Sequence, residues 1–132
     1  MNTQKETFRK SERLCSRKTI NQLFDKGNVF YMPLFKVVWM INPVETEFPV
    51  QVAFGVLKKG FRRAVDRNLL KRRMREAYRR EKPKLYEKTD LLNVRIAFII
   101  IFRQNRIPEY FEIQKSMSEM IDKFCTFIRK KE

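Results

Sequence analysis

The sequence predicts an α+β fold, a single domain in which helices pack on one mostly antiparallel sheet of about four strands. Two observations predict it. The 132 residues fit one domain, and 43% hydrophobic with 13% aromatic residues are enough for one core. Segments with a helical apolar repeat alternate with β-rich segments in the order helix, two or three strands, basic helix, strand, helix. We expect residues 1–12 to form a flexible N-terminal tail and residues 13–132 to form the domain.

The first helix is predicted from Ser16 to Lys26. Ile20, Leu23 and Phe24 recur there at helical spacing. Ser16 is a favourable N-cap, and Gly27 follows at the position where a left-handed residue often ends a helix. A short amphipathic helix is therefore expected near the start of the domain.

Three segments are predicted to be strands. Leu34–Ile41 and Val50–Leu57 are rich in β-branched and aromatic residues. Residues 42–49 between them contain two prolines and two glutamates, so we expect a solvated hairpin connection with Val50–Leu57 as the returning strand. Leu92–Phe102 is nearly all apolar, a pattern that is typical of a central strand buried on both faces. Phe35 and Trp39 share a strand face with Val37, which favours a core position for both aromatics.

The longest helix is predicted from Arg63 to about Glu81, because this stretch is rich in good helix formers and contains no glycine or proline. Pro83 is expected to stop it, and Lys84–Asp90 would then be a polar linker. The last helix is predicted to begin at Pro108, with acidic residues in its first turn and basic residues toward its end, as the helix dipole favours.

The basic charge is concentrated in one part of the chain. Lysines and arginines number 30 against 15 acidic residues, so the formal charge is +15. Twelve basic and only three acidic residues lie between Lys58 and Lys82. This excess indicates a polyanionic partner, either nucleic acid or an acidic membrane surface.

Projection at about 100° per residue places most of the cations of the basic helix on one side. Leu69, Leu70, Met74 and Ala77 fall on a different arc and would face the core, with Arg73 at the border. Arginine forks and lysine ammonium groups suit phosphate, and a merely solvated face would have more acidic partners. A membrane-surface helix would need bulky apolar residues such as Trp or Phe on the same helix.

Several function classes are excluded by composition. The chain has no histidine, which excludes imidazole triads and histidine-containing zinc sites. Its two cysteines, Cys15 and Cys125, are too few for a disulfide framework and favour a reducing, cytoplasmic location. No apolar run is long enough for a membrane span, and no signal-peptide pattern is present.

The stretch from Val56 to Arg79, which reads VLKKGFRRAVDRNLLKRRMREAYR, resembles the signature of the protein subunit of bacterial ribonuclease P. In that family a strand ending in two basic residues leads into a helix with an Arg-Asn pair, a Lys-Arg pair and an Arg-Glu-Ala-aromatic group. The matching positions are Lys58-Lys59, Arg67-Asn68, Lys71-Arg72 and Arg75-Glu76-Ala77-Tyr78. Arg13-Leu14, followed by a short helix and Gly27, is similar to the opening of the family.

The resemblance implies an α/β sandwich like domain 2 of ribosomal protein S5, with an unusual left-handed β-α-β crossover that carries the basic helix. It also implies an RNA-binding subunit that helps a catalytic RNA remove the 5′ leader from precursor tRNA and lowers the Mg²⁺ requirement. The chemistry would belong to the RNA and its Mg²⁺, so no catalytic residue and no protein-bound metal are expected in this chain. No membrane association is expected, and no protein partner should be required.

Two binding surfaces follow from the resemblance. The surface for the RNA subunit would comprise basic and amide side chains: Lys58, Lys59, Arg62, Arg67, Asn68, Lys71, Arg72, Arg75 and Arg79. The cleft for the leader of the precursor would be lined by Ile20, Phe24, Lys36 and Val38. The chain departs from the family pattern at Leu69, where an arginine is common, and at Ile20 and Val38, where aromatic residues are common.

Other functions remain open at this stage. A ribosomal or general RNA-binding protein would carry a similar basic helix. A double-stranded DNA binder is less favoured because no second helix is placed to form a helix-turn-helix with the basic one. Phe24 could equally be an ordinary core aromatic.

Overall fold

The structure, a computed structural model, describes residues 12–41 and 48–130. Seven elements follow one another there: α1 (Arg17–Lys26), β1 (Asn28–Tyr31), β2 (Phe35–Ile41), β3 (Val50–Val56), α2 (Ala64–Leu92), β4 (Ile96–Phe102) and α3 (Tyr110–Lys130). The predicted tail, apart from Glu12, and residues 42–47 of the predicted connection lie outside the described residues.

The four strands form one sheet in the order β1-β2-β4-β3. Strand β2 is antiparallel to both β1 and β4, whereas β3 runs parallel to β4. The predicted mostly antiparallel sheet is therefore confirmed, and α2 makes the crossover between its two parallel strands. The hairpin predicted for Leu34–Ile41 and Val50–Leu57 is wrong, because β4 lies between β2 and β3. The left-handed sense of this crossover stays a prediction. Strand β1 was not assigned from the sequence because it is only four residues long and three of them are exposed.

One face of the sheet carries the main core under α2 and α3. Alternate residues of β2 and β4 point to this face and are buried, among them Phe35, Trp39 and Phe98. Phe124 of α3 packs edge-on against Trp39 and Phe98, with ring centroids 4.9 and 4.5 Å apart. The predicted core positions of Phe35 and Trp39 are confirmed.

Among the described residues, α1 and the segment that precedes it cover the other face of the sheet. Leu14, Leu23, Val38, Ala97 and Ile99 form a small buried cluster there. Ile20, Met40, Ala53 and Ile101 pack against this cluster and stay half-buried. A helix of ten residues spans only about 15 Å, so within the described residues α1 covers only part of this face, and the remainder beside α1 is called the cleft.

Helix α2 does not stop at Pro83, so the predicted helix end and the predicted linker Lys84–Asp90 are wrong. Proline removes one backbone hydrogen bond, yet Leu85, Tyr86 and Thr89 in the next turns are buried in the core. The Lys84 ammonium also contacts α3, 3.0 Å from the Asp122 carboxylate and 2.8 Å from the Ser118 hydroxyl. Tertiary packing thus outweighs the local helix-breaking signal.

The end of α2 also shifts the start of β4. Asn93 adopts a left-handed conformation with φ 55°, and its backbone N–H donates to the Asp90 carbonyl. Strand β4 therefore begins at Ile96, four residues later than the predicted Leu92. Similarly, α3 begins at Tyr110 rather than at the predicted Pro108.

The ends of α1 differ in how well they match the prediction. Ser16 is the N-cap, and its hydroxyl accepts from the Thr19 N–H at 3.2 Å, as predicted. Gly27 is extended, with φ −69°, so the left-handed conformation predicted for it is wrong. A Cβ at Gly27 would lie 2.5 Å from the Leu23 carbonyl oxygen and 2.8 Å from Cγ1 of Val38, so glycine is required by close packing.

A buried ion pair joins α2 to the segment before α1. The Lys82 ammonium lies 2.5 Å from the Glu12 carboxylate, and both side chains are fully buried. The Tyr86 hydroxyl donates to the same carboxylate oxygen at 2.5 Å, and burial raises the pKa of this hydroxyl, which keeps it a donor. Glu12 was assigned to the flexible tail and Lys82 was counted with the basic stretch, but both belong to the interior.

We predict that Lys82→Met lowers the free energy of unfolding by about 3–5 kcal/mol, because it leaves the Glu12 carboxylate buried without its cation. The measurement is urea unfolding at neutral pH. Lys84→Met is the matched control, and because Lys84 is partly exposed its loss should be about 1 kcal/mol or less. Equal losses in the two variants would contradict the importance of the buried pair.

We also predict that Gly27→Ala destabilises the protein by about 1–3 kcal/mol, because the added methyl group must push α1 away from Val38. Thermal unfolding followed by circular dichroism measures the change. Gly60→Ala serves as the control because the nearest atom to its added Cβ is 3.7 Å away. A Tm for Gly27→Ala as high as that of the control would show that α1 does not pack as closely as described.

Candidate nucleic-acid interface

The basic side of α2 lies opposite its buried side. Leu70, Met74 and Ala77 are fully buried against the core. The predicted RNA-subunit positions are all at least partly exposed: Lys58, Lys59, Arg62, Asn68 and Arg72 are exposed, and Arg67, Lys71, Arg75 and Arg79 are half-buried. Arg73 lies at the border as expected, and its guanidinium donates to the Pro108 carbonyl at 2.7 Å.

Arg67 combines a surface charge with a structural contact. Its guanidinium donates to the backbone carbonyls of Phe61 and Arg62, at 2.7 and 2.8 Å. These contacts hold the connection from β3 against the first turn of α2. Substitution of Arg67 would therefore disturb the position of the neighbouring cations as well as remove one charge.

Arg79 is already neutralised by an acidic neighbour. Its Nε and Nη2 donate to the Glu76 carboxylate at 3.0 and 2.5 Å, and the Arg80 Nε lies 3.1 Å from the same group. The hydrogen bonds from Arg79 and then Arg80 lower the pKa of Glu76 to about 2, so the carboxylate stays ionised. The positive potential of α2 is therefore strongest before this turn, toward the start of the helix.

Arg13 adds a cation to this surface from a distant part of the sequence. The backbone N–H of Leu14 donates to the Val52 carbonyl at 2.9 Å, which holds this segment along β3. Arg13 and Arg75 then line one open pocket of about 350 Å³. Burial lowers the pKa of Arg75, and the nearby charges of Arg13 and Arg72 lower it further. The pocket therefore brings two guanidinium groups together, which suits it to anions.

Three of the four residues predicted to line the leader cleft are at least partly exposed. Phe24 is 60% exposed, so the alternative of a core position for it is wrong. Ile20 and Lys36 are half-buried. Val38 is only 2% exposed because α1 and Gly27 pack over it, so its predicted role in lining the cleft is a mistake.

Sequence reasoning missed Tyr31 and Arg103 in this region. Tyr31 pairs with Lys36 across β1 and β2 and is 53% exposed. The Arg103 guanidinium lies over the Tyr31 ring, 5.1 Å from its centroid. Tyr31 was missed because β1 was not assigned as a strand. Without that strand, the face of the sheet to which Tyr31 points could not be predicted.

Neither residues 12–41 nor residues 48–130 contain a cluster of three or more Cys, Asp or Glu side chains placed to hold a metal ion. Within the same ranges no helix has the length and apolar character needed to cross a membrane. An α+β fold with one basic helix face and a partly open sheet face defines a class of protein suited to polyanions.

Comparisons with known proteins identify the family. The family model described as Ribonuclease P matches residues 8–125. The chain is 34% identical over 117 residues to the ribonuclease P protein component of Porphyromonas gingivalis, covering 85% of this chain and 82% of the relative. It is 32% identical over 125 residues to the component of Chlorobium phaeobacteroides, covering 87% and 86%. The chain therefore belongs to the bacterial ribonuclease P protein component family, as the resemblance predicted.

Solved structures agree with the fold. The RNase P protein of Thermotoga maritima matches with a TM-score of 0.67 at 20% identity, covering 85% of this chain and 96% of that one. The RNase P protein of Staphylococcus aureus matches with a TM-score of 0.64 at 23% identity, covering 87% and 95%. The predicted α+β class is confirmed.

Proposed function

We propose that this chain is the RNA-binding subunit of ribonuclease P that assists a catalytic RNA in removing the 5′ leader from precursor tRNA. One observation supports this beyond family membership: α2 is buried against the core through Leu70, Met74 and Ala77, and its opposite side carries exposed or half-buried arginines and lysines. The hydrolytic chemistry belongs to the RNA partner and its Mg²⁺. The chain would act in the cytoplasm without needing a protein partner.

The basic side of α2 would bind the RNA subunit. Lys71, Arg72 and Arg75 supply charge and guanidinium forks for phosphate oxygens, and Asn68 can both donate and accept at sugar hydroxyls or base edges. Leu69 is half-buried at the position where the family often has arginine. Arg13, which joins Arg75 at the pocket, would compensate for this missing cation.

The cleft beside α1 would hold the single-stranded leader. Phe24 offers an exposed ring for stacking, and Lys36 offers a charge close to the sheet surface. Unpaired RNA is bound in this way by aromatic stacking combined with charge along the backbone. The two surfaces together would hold the substrate beside the RNA subunit, with fixed cations replacing part of the Mg²⁺ that neutralises phosphate.

Reconstitution tests the proposal directly. The chain alone should leave precursor tRNA uncut, whereas adding it to the cognate RNA subunit should restore cleavage at a Mg²⁺ concentration too low for the RNA by itself. Cleavage by RNA-free protein, or no effect of the protein on the RNA reaction at low Mg²⁺, would contradict it.

A general or ribosomal RNA-binding role would give a different competition result. The proposed subunit, bound to its RNA, should prefer leader-bearing precursor over mature tRNA, whereas a general binder should not distinguish them. A helix-turn-helix DNA-binding role is not favoured, because α2 is flanked by strands β3 and β4 rather than by a second helix.

We predict that Lys71→Ala weakens binding to the RNA subunit and reduces the slope of log K against log salt by about 0.7–0.9, the value for one lost phosphate contact. Arg79→Ala is the matched control on the same helix, and its slope should change less because Glu76 already neutralises Arg79. Filter binding across a salt series gives both slopes. Unchanged affinity and slope for Lys71→Ala would show that this face is only solvated.

A further inference from the structure

We propose that Tyr31 and Arg103 form a base-stacking platform for unpaired RNA at the β1 side of the cleft. The inference rests on the proposed function and extends it, because it assigns a base-binding site to two residues outside the predicted leader surface. The ligand class is single-stranded RNA, and the contact is between one base and the Tyr31 ring.

The strand register places Tyr31 in the cleft. Tyr31 lies directly opposite Lys36, so both side chains point to the same face of the sheet. Lys36 and Val38 alternate on β2 with the core residues Phe35 and Val37, so this face is the one covered by α1. Tyr31 therefore belongs to the same surface as the predicted leader residue Lys36.

Arg103 holds the Tyr31 ring in an arrangement suited to stacking. The Arg103 Nε donates to the Met32 carbonyl at 2.8 Å, and the Arg103 backbone N–H donates to the Leu34 carbonyl at 2.9 Å. These bonds fix Arg103 with its guanidinium over the ring. The ring is still 53% exposed, so a base can approach it with little further loss of side-chain freedom.

The charges around the ring favour nucleic acid over an uncharged aromatic ligand. Lys36 is the cross-strand neighbour of Tyr31, and directly opposed Cβ atoms lie about 5 Å apart. Lys36 and Arg103 therefore both place positive charge next to the ring. A base stacked there would have its phosphates next to cations, which is the combination that single-stranded nucleic acid requires.

The platform also supplies an aromatic ring to a cleft in which Ile20 and Val38 replace aromatic residues that are common in the family. Ile20 has no ring, and Val38 is both aliphatic and buried, so neither can stack with a base. Within the described ranges, the aromatic side chains more than half exposed are Phe24, Tyr31 and Phe111. Phe111 lies on α3, which packs on the opposite face of the sheet. Tyr31 thus provides a second exposed ring for this cleft, in addition to Phe24.

Binding of the reconstituted protein–RNA complex to leader-bearing precursor and to mature tRNA tests the platform. Tyr31→Ala should weaken precursor binding about tenfold, within the range for one stacked base, and leave mature tRNA binding unchanged. Tyr31→Phe should retain precursor binding because the ring is kept. Phe111→Ala is the matched control, since it removes a more exposed ring from the other side of the protein. Circular dichroism establishes that each variant is folded.

A fluorescence measurement gives an independent readout. Trp39 is buried, so Tyr31→Trp introduces an exposed indole into a protein whose own tryptophan is shielded. Precursor should quench this indole while mature tRNA should not, and Phe111→Trp should respond to neither. Equal precursor affinity for Tyr31→Ala and the wild type, or no difference in quenching, would overturn the platform. If the wild-type complex itself does not distinguish precursor from mature tRNA, leader binding and therefore the proposed function fail first.

Discussion

The unequal covering of the sheet is the constraint on which the rest of the molecule depends. Strand β4 lies between two neighbours and is buried on both faces, so each face needs a layer of helix or chain. Helices α2 and α3 cover one face with a large core, whereas the ten-residue α1 covers only part of the other. The uncovered part is the cleft, and its aromatic and basic residues are accessible because no further helix in the described ranges packs there.

The same constraint explains how α2 can carry so much charge. Desolvation and close packing fix its apolar side through Leu70, Met74 and Ala77, so the helix does not depend on charge pairs along its surface. The buried pair of Lys82 and Glu12 then ties the chain before α1 to this helix. Arg13, the residue after Glu12, lines the same pocket as Arg75 of α2. The packing contacts thus lie inside the protein, while Lys71, Arg72 and Arg75 are at least partly exposed on the basic side of α2.

Local patterns predicted much of this from the sequence. Periodicity and capping chemistry predicted the basic side of α2 and the helix α1 with its Ser16 cap. They also predicted the core positions of Phe35 and Trp39. What could not be predicted depends on contacts between distant residues. Pro83 indicated a helix end, yet burial of Leu85 and Tyr86 extends the helix. Glu12 pairs with Lys82, which lies seventy residues later in the chain. The position of Tyr31 depends on the pairing of a four-residue strand. Family knowledge indicated a leader cleft, but only packing shows that Val38 lies beneath its surface.

The central claim is that the basic helix face is built for one structured RNA that carries out the reaction. Its most direct test is to purify the protein with its bound RNA from its own cells and to sequence that RNA. The account predicts one dominant structured species that cleaves precursor tRNA by itself at high Mg²⁺ and, with the protein, at low Mg²⁺. A mixture of ribosomal and messenger fragments with no such species would contradict it.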